Sequence, residues 1–284
     1  MIKSIHMEIS GKELAKQVKE ELQQEVEKLF QKGITPHLAI ITLGDEGAWA
    51  TYVRQKLKVA QGMGIRATHY NLDKADQHTL LELINKLNAD PLTHGIIVQR
   101  PLPAYIDRQT IVEAIDTKKD VDGFQDDSLF EVPVFMAVER VLEEAAKQQN
   151  QPLTDFLQNK TVVVAGKGET AGMPSVRGLQ KKYRIDPIVV DRETSEPNIT
   201  FKHADIIISA VGKSIINPSN IKSGVVLVGI GLRVEEGKVK GDYNDEDIKS
   251  IASFYTPTPG GIGPLNLACL FKNLIKATHL HIHD

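Results

Sequence analysis

Residues 161–166 read Thr-Val-Val-Val-Ala-Gly, and three glycines, Gly166, Gly168 and Gly172, punctuate the next few positions. An apolar run with no polar face belongs to a strand buried on both sides. The glycines predict a tight turn into a helix. Three more such runs follow, ending at Asp191, at Gly212 and at Gly231. Three others precede it, at His37–Leu43, Ile65–Tyr70 and Gly95–Val98. The segments between them carry helical periodicity. In residues 10–31, Leu14, Val18, Leu22, Val26, Leu29 and Phe30 share one face; Ser10 and Glu13 form a capping box and Gly33 a C-cap. Helices are also predicted over 46–63, stopped by Gly64, and over 76–89, 134–149 and 264–277. Strands alternating with helices imply βαβ units and parallel sheets, so the expected class is α/β.

Bulk properties narrow the function. The 284 residues hold 34 Lys and Arg against 37 Asp and Glu, a formal charge of −3. That balance argues against a dedicated nucleic-acid binder. Cys269 is the lone cysteine, which excludes an internal disulfide and a cysteine-cluster metal site; no metal is expected. No apolar run reaches the roughly 18 residues of a membrane span, and residues 1–10 lack a signal peptide's apolar stretch. A cytoplasmic small-molecule enzyme or binder is the expectation. His279, His281 and His283 alternate near the end, and a solvated, frayed terminus is expected there.

Several constellations carry chemistry. A glycine turn between a strand and a helix lets backbone approach a pyrophosphate, although the spacing Gly166-x-Gly168-x-x-x-Gly172 also suits a plain β–α turn. Asp191 ends the next strand, where an acidic side chain accepts from ribose hydroxyls and repels a 2′-phosphate. This leans towards NAD, while Lys167 and Arg192 leave NADP open. Tyr52 and Lys56 lie four residues apart on a predicted helix and share a face. Tyr-x-x-x-Lys occurs in short-chain dehydrogenases, but there it follows the dinucleotide motif; here it precedes it. Gln99 ends the Gly95 strand, and Asp120 and Asp122 sit in the loop Lys119–Phe124. In open α/β sheets ligands bind at the carboxyl ends of strands, where these groups would make a polar site. Residues 256–264, Thr-Pro-Thr-Pro-Gly-Gly-Ile-Gly-Pro, form a loop that is stiff yet allows close approach.

Taken together, residues 52–58 (Tyr-Val-Arg-Gln-Lys-Leu-Lys), 95–103, 119–124, 204–213 and 256–264 resemble the bifunctional methylenetetrahydrofolate dehydrogenase/methenyltetrahydrofolate cyclohydrolase family, in its order and spacing. The resemblance implies two α/β domains with a ligand cleft between them, the second a Rossmann-type doubly wound parallel sheet. It implies a discontinuous folate domain, residues 1–148 and 266–284, and an NAD(P)-binding domain, residues 149–265. It also implies a homodimer formed through the Rossmann domains. Lys56 would be the central acid–base group of the cyclohydrolase step, and Tyr52 would pack on the aminobenzoyl ring. Gln99 would tune Lys56, and Asp122 would accept from the pterin edge. Pro101, Gly261, Gly263 and Pro264 would also line the folate site. Gly166, Lys167, Gly168, Gly172, Asp191, Arg192, Val211, Gly212 and Ile230 would hold the dinucleotide.

The chemistry suits those residue types. Hydride loss from the methylene bridge leaves a cationic methenyl carbon that water can attack. A protonated lysine beside that cation is unfavourable, so the Lys56 pKa should fall, and a neutral amine can activate water. An ionised Asp122 is acceptor-only and matches a guanidine-like edge. The chain departs from the family pattern after Phe124: the segment 125–137 is shorter by about eight residues and carries Pro133, Val134, Phe135 and Met136 where a Pro-Cys-Thr-Pro is usual. Two rivals follow: a cyclohydrolase that has lost its dehydrogenase, and a folate- or nucleotide-binding regulator without turnover.

Overall fold

The computed structural model describes residues 6–44 and 49–282. In chain order, β1 (Met7–Glu8) precedes α1 (Gly11–Gln31), β2 (His37–Leu43), α2 (Ala50–Gly62), β3 (Arg66–Leu72), α3 (Gln77–Ala89), β4 (Gly95–Val98) and α4 (Arg108–Ala114). Then come α5 (Pro133–Gln148), α6 (Leu153–Leu157), β5 (Val162–Ala165), α7 (Gly172–Tyr183), β6 (Ile188–Val190), α8 (Pro197–His203), β7 (Ile206–Ser209) and β8 (Val226–Gly229). A hairpin of β9 (Arg233–Glu235) and β10 (Lys238–Lys240), then α9 (Asp245–Ile248), β11 (Phe254–Tyr255) and α10 (Ile262–Ile282) complete the chain.

Two compact units form, Met1–Lys16 with Val134–Asn266, and Gln17–Pro133 with Leu267–Asp284. The second holds a parallel sheet of order β3-β2-β4. Every residue of β2 and β4 is buried, as their mostly apolar runs require, and the polar His37 and Thr42 of β2 bond to Thr68 and to His69 and Asn71. Ile41, Leu80, Ile84, Ile96 and Ile111 form its core against α3 and α4. The other unit holds a parallel sheet of order β1-β11-β8-β7-β5-β6. Its strands β5, β7 and β8 are fully buried, with Val163, Ile207, Leu227 and Phe201 in one cluster. Residues 7 and 8 belong to this sheet because β1 runs beside β11.

Local signals place most elements. Ser10 Oγ accepts from Glu13 N at 3.3 Å, and Gly33 (φ +74°) follows α1. The helix expected over 46–63 runs from Ala50 to Gly62, and its first expected residues, 46–48, lie outside the described residues. The last helix departs from expectation. Instead of a frayed tail after 277, α10 continues to Ile282. His279 lies 3.5 Å from the Glu25 carboxylate, His281 stacks edge-on against His94, and Thr278 is buried, so tertiary contacts hold the final turn. His283 lies outside the described residues. Among the described residues, no helix is long and apolar enough to cross a membrane.

Candidate functional site

In the unit built on β3-β2-β4, α2 brings Tyr52 and Lys56 to one face, as four-residue spacing dictates. Gln99 follows β4 directly. Its Oε1 accepts from Lys56 Nζ at 2.7 Å, and its Nε2 donates to the Arg100 carbonyl at 2.9 Å. The second bond fixes the amide: nitrogen towards Arg100, oxygen towards Lys56. One amide thus satisfies a backbone carbonyl and holds the lysine.

Asp122 lies in the turn after Lys119. The turn closes at Gly123 (φ +69°), where an added Cβ would press on the Phe130 carbonyl. Asp120 holds this turn from within, its carboxylate accepting from Gly123 N at 3.2 Å and Gln125 N at 3.1 Å. Burial raises the Asp120 pKa to about 6. Burial also lowers the Lys56 pKa, opposed by the Asp122 charge, and raises that of Asp122, opposed by Lys56 and Arg100. The protein therefore supplies the depression of Lys56 by burial before any cationic substrate adds to it. Arg100 stacks 4.0 Å over the Phe124 ring. Arg100 and Phe124, with Ile96, Val98 and Leu102, line a small pocket that Asp120 and Asp122 also face. Pro101, after a cis peptide bond, is exposed. Tyr52 is 51% exposed, one helical turn from Lys56, an aromatic face open to a ligand.

In the other unit the glycine turn joins β5 to α7. Gly166 has φ +101°, and a Cβ on it would meet the Ala210 carbonyl at 2.8 Å. A Cβ on Gly172 would run into the Gly166 carbonyl, whereas the space over Gly168 is open. No side chain caps the N-terminus of α7. An open glycine cradle at an uncapped helix start fits a dinucleotide pyrophosphate. Lys167 reaches from this turn to Asp191, just beyond β6, and forms an ion pair with it. That contact and the Glu193 N–H lower the Asp191 carboxyl pKa from its ordinary value. Arg192 is exposed beside it.

Val211 and Gly212 follow β7, and Ile230 follows β8, its N–H donating to the Ser209 carbonyl at 2.7 Å. Gly261, Gly263 and Pro264 lie at the start of α10 within this same unit. Gly261 is buried against the Pro257 carbonyl, and Gly263 is open. The unusual residues after Phe124 have structural work. Gln125 Nε2 donates to the Val112 carbonyl at 2.8 Å at the end of α4. Pro133 opens α5, and Val134 and Phe135 are buried, the latter packing flat on Gly178. Asp242 escaped the sequence reading. It is fully buried, and its carboxylate binds the turn after β7. Its only local signal was an acidic residue after a glycine in an otherwise polar stretch.

Known proteins resemble this chain over nearly its whole length. The family profile described as "Tetrahydrofolate dehydrogenase/cyclohydrolase, catalytic domain" matches residues 9–122, and that of the "NAD(P)-binding domain" matches 147–282. The chain is 36% identical over 285 residues to the bifunctional protein FolD of Bacillus pumilus, covering 95% of this chain and 96% of the relative. It is 37% identical over 276 residues to that of Geobacillus thermodenitrificans, with 95% and 96% covered. The crystal structure of the Campylobacter jejuni FolD methylenetetrahydrofolate dehydrogenase/cyclohydrolase matches with TM-score 0.86 at 33% identity, over 95% of this chain and 98% of that one. The Trypanosoma brucei enzyme, complexed with NADP and an inhibitor, matches with TM-score 0.87 at 27% identity, over 98% and 99%. With both domain profiles matched and relatives aligned over nearly its whole length, the chain belongs to the tetrahydrofolate dehydrogenase/cyclohydrolase family.

Proposed function

We propose that this chain oxidises 5,10-methylenetetrahydrofolate with a nicotinamide cofactor and hydrolyses the 5,10-methenyl product to 10-formyltetrahydrofolate. The observation that carries the reading is the bond from Lys56 Nζ to Gln99 Oε1, with burial lowering the lysine pKa. A bound nicotinamide accepts the hydride. The chain's own residues align the folate and manage protons. Tyr52 offers its exposed ring to the aminobenzoyl group, and Asp122 offers its carboxylate to the pterin donors. Neutral Lys56, its Nζ held by Gln99, takes a proton from the attacking water; as the carbinolamine C–N bond breaks it gives that proton to the departing ring nitrogen, while the hydroxyl proton leaves to solvent and the formyl C=O forms. Pro101 completes the folate contacts within this unit. The dinucleotide is assigned to the unit that carries β5–β8, which also takes in residues 1–16 and 134–148, expected from the sequence in the folate domain; folate is assigned to the unit that carries β3-β2-β4.

For the cofactor, NAD is favoured. Asp191 stays ionised, and an anion at the ribose end accepts hydroxyls and repels a 2′-phosphate. The competing reading, NADP, rests on Lys167 and Arg192, since the Lys167 ammonium could leave Asp191 for a phosphate. The chain acts in the cytoplasm as a homodimer through the unit that carries β5–β8.

The test mixes the protein with methylenetetrahydrofolate and each cofactor, following reduced nicotinamide by absorbance, and separately follows loss of methenyl absorbance without cofactor. Reduction with neither cofactor would defeat the dehydrogenase and leave the cyclohydrolase rival. Wild-type methenyl hydrolysis by Lys56→Met would defeat the role of Lys56. Asp191→Ser should raise NADP use relative to NAD, and an unchanged ratio would contradict the NAD assignment.

A further inference from the structure

The turn after β7 is held by one buried carboxylate. Asp242 follows the β9–β10 hairpin and is fully buried. Its carboxylate accepts from Ser209 Oγ at 2.6 Å, from Val211 N at 3.0 Å and from Lys213 N at 3.0 Å. Its own carbonyl accepts from Ile215 N at 3.0 Å and Ile216 N at 3.2 Å. One residue therefore fixes the chain from the end of β7 to residue 216. Two backbone N–H groups aimed at one carboxylate make a nest, a geometry that elsewhere binds anions and here is filled from within.

The surroundings leave this carboxylate little room to move. Gly231, after β8, lies where a Cβ would press on both the Asp242 carboxylate and the Gly212 N. Gly212 has φ +70° and packs under the Leu232 carbonyl. On the other side the turn abuts the glycine cradle, because a Cβ on Gly166 would meet Ala210 O at 2.8 Å and Val211 Cγ2 at 3.4 Å. A dinucleotide on the cradle would lie beside this turn.

We propose that Asp242 is a positioning residue for the cofactor: it locks the 209–213 turn into the shape that receives the dinucleotide beside the Gly166 cradle. This rests on the dehydrogenase reading above. It has a chemical corollary. The Val211 and Lys213 N–H groups are committed to Asp242, so Val211 meets the cofactor through its exposed side chain and its carbonyl. An amide at 242 keeps the shape of the carboxylate but loses its charge and turns an NH2 towards one of the donors, which loosens the turn.

Asp242→Asn and Gly231→Ala perturb the same turn by charge and by bulk. Three readouts apply to each: binding of NAD+ and NADP+ by calorimetry, deuterium exchange of residues 209–216 in the cofactor-free protein, and both activities. Faster exchange confined to 209–216 is expected. So is a 10- to 100-fold rise in cofactor Kd and KM, about what a misplacement of 1 Å costs. The folate KM should hold, and cofactor-free cyclohydrolase should stay within about twofold of wild type. Ser209→Ala, which removes one of the three bonds, should give a smaller rise of the same kind. Wild-type cofactor affinity and exchange in Asp242→Asn, with a competent parent, would overturn the positioning role alone. Equal loss of cyclohydrolase and dehydrogenase would reduce Asp242 to a fold-stabilising group and also overturn it. A parent chain that neither binds nor reduces a nicotinamide cofactor would overturn the dehydrogenase reading and this inference with it.

Discussion

Gln99→Glu tests whether Lys56 works as a neutral base. In the native site the amide oxygen accepts from Lys56 Nζ at 2.7 Å, and the amide nitrogen is tied to the Arg100 carbonyl. A carboxylate at the same place turns a neutral acceptor into an anion. Hydrogen bonds between a charged donor and a charged acceptor are roughly twice as strong as neutral ones. Bonds to charged groups contribute about 1.5–3 kcal/mol against about 1 kcal/mol for a neutral pair. The new anion favours only the protonated lysine, so the neutral form loses the difference, about 0.5–2 kcal/mol. Each 1.4 kcal/mol is tenfold, so the ratio of neutral to protonated lysine should drop about 2- to 30-fold. Burial now lowers the Lys56 pKa, and the variant moves it back up. Methenyl hydrolysis followed by absorbance should therefore slow by up to about 30-fold on its acid limb and recover as pH rises, that limb displaced to higher pH. The lost bond to the Arg100 carbonyl should add a small pH-independent loss. An unmoved acid limb with a rate within twofold of wild type would refute the neutral-base reasoning.

Two further perturbations act elsewhere. Buried His94 has its pKa lowered to about 4, chiefly by burial, so the native state keeps it neutral while the unfolded chain takes a proton near its ordinary 6.5. Its contribution is present above pH 6.5 and is lost as pH falls towards 4, at most about 3 kcal/mol. Asp120, raised to about 6, acts with the opposite sign: its contribution is present below its ordinary 3.8 and is lost as pH rises through 6. His94→Gln should therefore make unfolding in urea gain stability on acidification relative to the parent, and equal acid sensitivity in both proteins would contradict the assignment. Gly172→Ala places a Cβ against the Gly166 carbonyl, which should cost about 1–3 kcal/mol of stability. It should also suppress the dehydrogenase more than the cyclohydrolase, and a wild-type Tm with wild-type cofactor KM would show that the cradle has slack.

The sequence by itself determined what is local. Mostly apolar runs gave β2, β4, β5, β7 and β8 their full burial, helical spacing set Tyr52 and Lys56 on one face, and glycines marked the β5–α7 turn. These follow from the side chain's own neighbours in the chain, because strand and helix periods are short. The pairings that make the site were decided by tertiary structure. Gln99 meets Lys56 across 43 positions, Asp242 reaches Ser209 across 33, and β1 joins the far sheet at β11. A buried polar group must find a partner wherever packing brings one, and no local period encodes where that is. The same cause carried α10 past its expected end: contacts with Glu25 and His94 hold a turn that looked solvated in the sequence.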